Sequence, residues 1–334
     1  MNRRTVLVVG TAAAVLATTA ACGSGSSSSS SGSSSGGSGG GSKNYNIAFV
    51  PGVAGDAFYI TMQCGIEAEA KKEGATVKVQ APQKFDPTLQ TPILQSVIAS
   101  KPDALLIAPT DVSAMQAPIA QAKQQGIKVV LVDTTLNDPS VAESAISSDN
   151  AAGGKAAFDA IKQLAPNGGK VLGIGVQPGV STTDARDKGF GDAAKADSKY
   201  QYLGVQYSQN DPAKAAQEVS AALQKDPDIV GIFASNLFSA EGAATGIRQA
   251  GKQNSVKIVG FDAGPDQIKA LQDGTVQALI AQQPATIGTD GVQQAIKALK
   301  GQATEKKIQT GSTIITKDNI SSAEGQAAAY KASC

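Results

Sequence analysis

The chain has 334 residues, with 29 basic and 28 acidic side chains, so it carries almost no net charge and offers no electrostatic footprint for nucleic acid. Histidine is absent, which excludes Ser-His-Asp and Cys-His catalysis and any histidine-ligated metal site. Tryptophan is absent and aromatics make up 4% of the chain, while Ala and Gly are abundant, a composition suited to a layered α/β protein with closely packed helices rather than a β-sandwich.

Residues 1–21 read as an export signal. Asn2-Arg3-Arg4 supply a charged start, Val6 to Ala17 a short apolar stretch, and Thr18-Thr19-Ala20-Ala21 lead to Cys22. The apolar stretch is too short and too rich in small residues for a membrane span. The arrangement predicts a lipoprotein-type ending in which Cys22 is acylated; a signal peptide cut elsewhere is the alternative, and Arg3-Arg4 leave the twin-arginine route open. Residues 23–42 are only Gly and Ser, a flexible tether with a typical span of about 25 Å, natural or artificial. With Cys22 lipidated, Cys64 and Cys334 are left as an even pair, expected to form a disulfide that pins the C-terminal tail; two unpaired thiols are the alternative.

From Tyr45 onward, strand and helix patterns alternate. Tyr45 to Val50 reads as a strand, Phe58 to Glu73 as a helix and Ala75 to Gln80 as a strand. Asp86-Pro87 is a helix start, with Asp as cap and Pro in the first turn. Ala104 to Ala108 and Lys128 to Val132 are near-continuous apolar runs, expected of strands buried on both faces. Further strands are predicted at 171–176, 201–205, 229–234, 257–261 and 276–281, and helices at 151–164, 184–197, 212–225, 239–250, 265–273 and 285–299. This alternation predicts parallel sheets covered by helices on both faces.

The pattern also echoes itself. Ile127-Lys128-Val129-Val130-Leu131-Val132-Asp133 is matched by Val256-Lys257-Ile258-Val259-Gly260-Phe261-Asp262, and the segment from Lys101 to Ile107 by that from Asp226 to Ile232. Two similar doubly wound lobes are the simplest account. In such sheets ligands sit beyond the carboxyl ends of the strands, where Asp133 and Asp262 fall, one per lobe. Facing lobes would point both carboxylates into one cleft; two plain helix caps are the bland alternative. Gly153-Gly154 and Gly173-Ile174-Gly175 complete neither a dinucleotide fingerprint nor a P-loop and read as packing and turn glycines.

Several segments together resemble a known family. They are Asp56-Ala57-Phe58-Tyr59, Val132-Asp133, Ser147-Ser148-Asp149-Asn150 with Gly153-Gly154-Lys155, Arg186-Asp187-Lys188-Gly189-Phe190, Ala234-Ser235-Asn236, Val259-Gly260-Phe261-Asp262 and Ile280-Ala281-Gln282-Gln283-Pro284. In this order and spacing, the chain from Tyr45 to about Lys317 resembles the ribose- and galactose-type periplasmic binding proteins, type 1. The resemblance implies a sugar-binding lipoprotein of an ABC importer, with two doubly wound parallel-sheet lobes joined by a three-strand hinge. Carried over, residues 43–147 with 283–310 form the N-terminal lobe, 148–282 with 311–318 the C-terminal lobe, and 319–334 a tail. The lobes are expected to close on a ligand like a clamp.

The resemblance also implies the site residues. Asp56, Asp133 and Asp262 would accept hydrogen bonds from sugar hydroxyls, Arg186 would hold two oxygens, and Asn236 and Gln282 would donate and accept. Phe58 and Tyr59 would lie against C–H faces, although one of them can equally be a core residue. A surface or helix-cap residue is the lesser alternative for Arg186, and Phe238 can equally be a pocket wall or core. The chain departs from the ribose-type pattern: Thr134, a further ligand-binding candidate, stands where Arg follows the first-lobe Asp, Asp211-Pro212-Ala213 where an aromatic follows Asn210, and Asp184 where a second Arg often precedes. The pocket therefore has fewer cations and less stacking surface, which leaves another monosaccharide or a sugar alcohol as open as ribose. The expected partners are that ligand, the permease subunits of the importer and a membrane reached through the lipid anchor. No cofactor, metal or catalysis is expected, and the protein is expected to act as a monomer. A sensor presenting sugar to a membrane receptor, and less readily a glycosidase using the paired carboxylates, are the rival readings. A sugar-responsive repressor is a third rival, against which the export signal and the lack of DNA-binding helices before Tyr45 argue.

Overall fold

A computed structural model describes residues 44–334. The expectations for the signal segment, for Cys22 and for the Gly/Ser tract lie outside the described residues. Among the described residues, no helix is long and apolar enough to cross a membrane.

The chain begins with β1 (Asn46–Val50), α1 (Ala57–Lys72), β2 (Thr76–Val79), α2 (Pro87–Ala99), β3 (Ala104–Ile107), α3 (Gln116–Gln124), β4 (Lys128–Val132) and β5 (Ser144–Ser148). It continues with α4 (Asn150–Leu164), β6 (Gly169–Gly175), α5 (Ser181–Ala196), β7 (Tyr200–Tyr207), α6 (Pro212–Lys225), β8 (Ile229–Ala234), α7 (Leu237–Gln249), β9 (Lys257–Phe261), α8 (Pro265–Gln272) and β10 (Ala278–Ala281). The last elements are α9 (Pro284–Leu299), β11 (Lys307–Thr310), β12 (Thr313–Thr316) and α10 (Ala323–Ala328). Local chemistry sets many of the helix starts. Asp56, Asp86 and Asp211 each accept backbone N–H bonds at an N-cap, and Pro87, Pro212, Pro265 and Pro284 occupy first turns, where a missing N–H costs nothing.

The strands form two six-stranded sheets with matching orders, β11-β5-β4-β3-β1-β2 and β12-β10-β9-β8-β6-β7. The chain passes between sheets three times, after β5, after β10 and between β11 and β12. The two doubly wound lobes expected from the alternation are therefore present. One feature differs from an all-parallel reading: β12 pairs antiparallel with β10. Two residues, Gly311 and Ser312, carry the chain from the carboxyl end of the first sheet into the second. With the two carboxyl ends facing each other, so short a connection enters the second sheet running backwards.

Central strands such as β3 and β10 are buried along their whole length, as strands covered on both faces must be. Phe49, Phe190, Phe233 and Phe261 are fully enclosed, each contributing about 2 kcal/mol of transfer free energy. Helix α9 lies on the first sheet against α1, and a Cβ on Gly65 would come within 2.2 Å of the Ala285 carbonyl oxygen. That close crossing seats the start of α1, and with it Asp56, Phe58 and Tyr59, over the carboxyl ends of the strands. Cys64 on α1 is disulfide-bonded to Cys334, with Cα atoms 5.3 Å apart, so the expected pinning of the tail is present.

Candidate functional site

Asp133 and Asp262 follow β4 and β9 directly, and both adopt positive φ, 65° and 78°. Left-handed backbone is uncommon outside glycine and tolerated best by Asp and Asn. In each, the backbone N–H donates to a carbonyl of the next strand over: Ile146 in β5 at 2.8 Å and Ile280 in β10 at 2.9 Å. The duplication read from the sequence thus reaches single hydrogen bonds. It bends both chains at the same point and aims two carboxylates into the space between the lobes.

That space is a cleft cavity whose empty volume, counting the part open to solvent, is about 390 Å³. The first lobe contributes Asp56, Phe58, Tyr59, Phe85 and Asp133, and the second contributes Val176, Val180, Thr182, Thr183, Arg186, Asn210, Asn236 and Asp262; Gln282 enters from the hinge. The lobes are closed over it. Thr135 N–H of the first lobe donates to Ser181 Oγ of the second at 2.9 Å, and Val112 N–H to the Gly179 carbonyl at 3.0 Å. Ser148 Oγ donates to Gln282 Oε1 at 2.7 Å across the hinge.

The carboxylates are held differently. Asp56 Oδ1 caps α1 through Phe58 N–H at 2.8 Å. Asp133 Oδ2 accepts from Tyr59 Oη at 2.8 Å. Asp262 accepts three bonds: Oδ2 from Leu237 N–H at 2.9 Å, and Oδ1 from Gln282 Nε2 at 2.7 Å and Tyr330 Oη at 3.0 Å. Burial pushes Asp56 up to about 8, aided by the Asp262 and Asp133 charges, against the pull of Phe58 N–H. Burial pushes Asp133 up to about 6, with Arg186 and Tyr59 holding it down. Asp262 is also raised by burial, against Arg186, Gln282, Tyr330 and Leu237 N–H.

Arg186 is 2% exposed and fixed on three sides. Nε donates to Asn150 Oδ1 at 2.8 Å, one Nη donates to the Ser235 carbonyl at 2.9 Å, and the guanidinium carbon lies 3.8 Å from the Phe261 ring centroid. The side chain lines the cavity. Two glycines permit this seat: a Cβ on Gly154 would come within 2.0 Å of the Arg186 carbonyl oxygen, and one on Gly153 within 2.7 Å of the Phe261 ring. Gly153-Gly154 are thus packing glycines, as expected.

Of the nine ligand-binding candidates, eight line the cavity. Thr134 does not, although it is buried. It follows the left-handed turn at Asp133, and its hydroxyl is buried without a hydrogen-bond partner. Asn236 is less free than expected: Oδ1 caps α7 through Ser239 N–H, and Nδ2 donates to Asn210 Oδ1 at 2.6 Å. Phe58 and Tyr59 both line the cavity and both belong to the core, in edge-to-face contact at 5.1 Å. Sequence reasoning passed over Phe85, Val176, Val180, Thr182, Thr183 and Tyr330, and gave Asn210 only as a landmark. Phe85, Val176, Val180 and Asn210 lie in loops that follow parallel strands, so the carboxyl-end rule would have found them if applied to every strand.

A cleft between two such lobes, lined by acceptors aimed inward, is also what known proteins show. Residues 47–303 match the family model described as periplasmic binding protein domain. The ribose import binding protein of Bacillus subtilis is 34% identical over 266 residues, covering 80% of this chain and 85% of that one. The chain belongs to the type 1 periplasmic sugar-binding proteins of ABC importers. Within this family, the ribose import binding protein of Escherichia coli is 34% identical over 271 residues, covering 81% of this chain and 90% of its own. An ABC transporter solute-binding protein from Agrobacterium vitis, solved with bound α-D-tagatopyranose, superposes with a TM-score of 0.85 at 39% identity, over 86% of this chain and 100% of its own. A second from the same organism, with bound D-fucose, gives 0.81 at 31% identity, over 85% of this chain and 100% of its own. The family consists of binding proteins, and this member is not an enzyme. Its relatives work outside the cytoplasm.

Proposed function

We propose that this protein captures one neutral monosaccharide or sugar alcohol in the cleft between its lobes and delivers it to the permease subunits of an ABC importer. The observation that carries this reading is the pair Asp133 and Asp262, brought from equivalent strand ends to one small enclosed cavity. A sugar presents hydroxyl donors around its rim, and ionised acceptors form the stronger hydrogen bonds. The Asp133 and Asp262 carboxylates against one guanidinium favour a ligand rich in donors and disfavour a sugar acid or phosphate. The hydrogen bonds that join the lobes over the cleft, from Thr135 to Ser181 and from Val112 to Gly179, leave room for one ring and not a polymer.

The binding unit is residues 43–147 with 283–310 closing against 148–282 with 311–318. Arg186, Asn236 and Gln282 serve the ligand oxygens, and Phe58, Tyr59 and Phe85 its C–H faces. The protein acts as a monomer at the outer face of the membrane, tethered by lipidated Cys22 through the Gly/Ser tract. Relatives solved with tagatose and fucose, and those named for ribose, frame the choice of sugar. Tagatose is the first candidate because that relative shares the higher identity. A thermal-shift screen of D-tagatose, D-fucose, D-ribose, D-allose, D-arabinose and the corresponding polyols tests this. The expected result is a clear rise in melting temperature with at least one, confirmed by calorimetry as one site. No response to any neutral sugar or polyol, or a response only to anionic sugars, contradicts it.

A further inference from the structure

The last residues of the chain do more than fasten an end. After β12 in the second lobe, the chain forms α10 and then runs along the hinge. Tyr330 is 5% exposed there. Its N–H donates to the Ala263 carbonyl at 2.9 Å, and its hydroxyl donates to Asp262 Oδ1 at 3.0 Å while accepting from Gln282 N–H at 2.8 Å. All three partners belong to the second lobe or to the hinge strand. The neighbouring contacts belong to the first lobe: the Tyr330 ring lies 5.9 Å from the Phe58 ring, Lys331 N–H donates to Thr61 Oγ1 at 2.8 Å, and Cys334 is bonded to Cys64. Within five residues the tail thus holds a ligand-facing aspartate and a hinge peptide on one side and α1 on the other.

We propose that the tail is a positioning strap for the binding site, in which Tyr330 fixes Asp262 and the Gln282 peptide in the arrangement that receives the ligand, while the Cys64–Cys334 bond keeps Tyr330 seated. The inference rests on the cleft being the sugar site. An ionised carboxylate has about four lone-pair sites, and Asp262 fills three with protein donors, leaving one at Oδ2 for a ligand hydroxyl. Tyr330 is buried against that carboxylate and takes up the Gln282 N–H, a donor that otherwise stays unpaired in the closed hinge. The charged and titratable groups facing Asp262 are Arg186 from α5, Asp56 and Asp133 from the first lobe, and Tyr330 itself. The Tyr330 hydroxyl works with Arg186 against the burial that raises the Asp262 carboxyl.

The test uses full-length Tyr330→Phe and the double variant Cys64→Ser/Cys334→Ser, titrated beside the unsubstituted protein with D-tagatose, D-fucose, D-ribose and D-allose between pH 5 and 8. Phenylalanine keeps the ring against Phe58, so the fold survives and only the hydroxyl is removed. The expected result is about a tenfold loss of affinity for Tyr330→Phe, since two other donors remain on Asp262. The pH below which affinity falls should also move upward, because Asp262 has lost a donor that holds its carboxyl down; a purely packing role leaves that pH unchanged. The double serine variant should lose about threefold, through a less firmly seated tail. Unchanged affinity and unchanged pH dependence in Tyr330→Phe overturn the inference. A weakened Tyr330→Phe beside an unaffected double serine variant removes the disulfide from it. If the unsubstituted protein binds none of the four sugars, the cleft reading itself fails and the strap falls with it.

Discussion

Asp133 and Asp262 share a strand position, a left-handed backbone and an N–H bond to the neighbouring strand, yet their carboxylates live in different company. Asp262 is gripped by a backbone N–H, an amide and a phenol, whereas Asp133 has Tyr59 alone among the described residues. The second lobe thus presents a preset acceptor, and the first an acceptor with open lone pairs. A clamp gains from this division. Interactions already built lower the ordering cost of binding, and the looser partner completes its hydrogen bonds when the ligand and the other lobe arrive.

Replacing either aspartate breaks the comparison outright. Asp133→Ala and Asp262→Ala should each weaken sugar binding by at least about 100-fold, since each removes charged acceptors from a desolvated site. Their stabilities should part company. Asp262→Ala leaves three buried donors unpaired and should lower the melting temperature further than Asp133→Ala, which leaves one. Equal melting temperatures in the two variants, measured without ligand, count against the difference described above. Tyr59→Phe sharpens the contrast, since it removes the single protein donor on Asp133. Its expected cost is about thirtyfold in affinity, more than the loss of any one donor on Asp262.

Ser181→Ala acts on closure rather than on recognition. It deletes the Thr135–Ser181 bond between the lobes and should weaken every sugar by the same factor of about three, without changing their ranking in calorimetry. A change in ranking would show that Ser181 reads the ligand. The smallest effect is on the unliganded protein. Asp56 and Asp133 are raised to about 8 and about 6, so the closed fold binds their protons more tightly than the unfolded chain does. Its stability should therefore decline as pH rises from the ordinary carboxylate range through 6 and on toward 8. Asp56→Asn should flatten the upper part of that decline in thermal melts.

Much of this architecture was legible from periodicity. The runs at β3, β4 and β9 are apolar throughout because both faces are covered, and their recurrence pointed to Asp133 and Asp262. Strand β5, Ser144–Ser148, was not legible because its sequence is mostly serine, and it gains its place only by pairing between β4 and β11. The short edge strands β11 and β12 carry too few residues for a pattern. At the site, Arg186 and Gln282 were reached through family resemblance rather than through any local signal. Tyr330 was reached by neither. It meets Asp262 from 68 residues away, held by a tail whose own sequence shows no apolar period. Thr134 was expected in the pocket because it stands where the ribose-type pattern has Arg, but it is buried outside the cavity lining, just past the left-handed turn at Asp133.

A crystal structure of the protein with the sugar that raises its melting temperature most tests the central claim directly. The account predicts one sugar ring enclosed between the lobes, with hydroxyls within hydrogen-bonding distance of both the Asp133 and the Asp262 carboxylates. A ring bound elsewhere, or bound in the cleft and touching only one of the two aspartates, would contradict it.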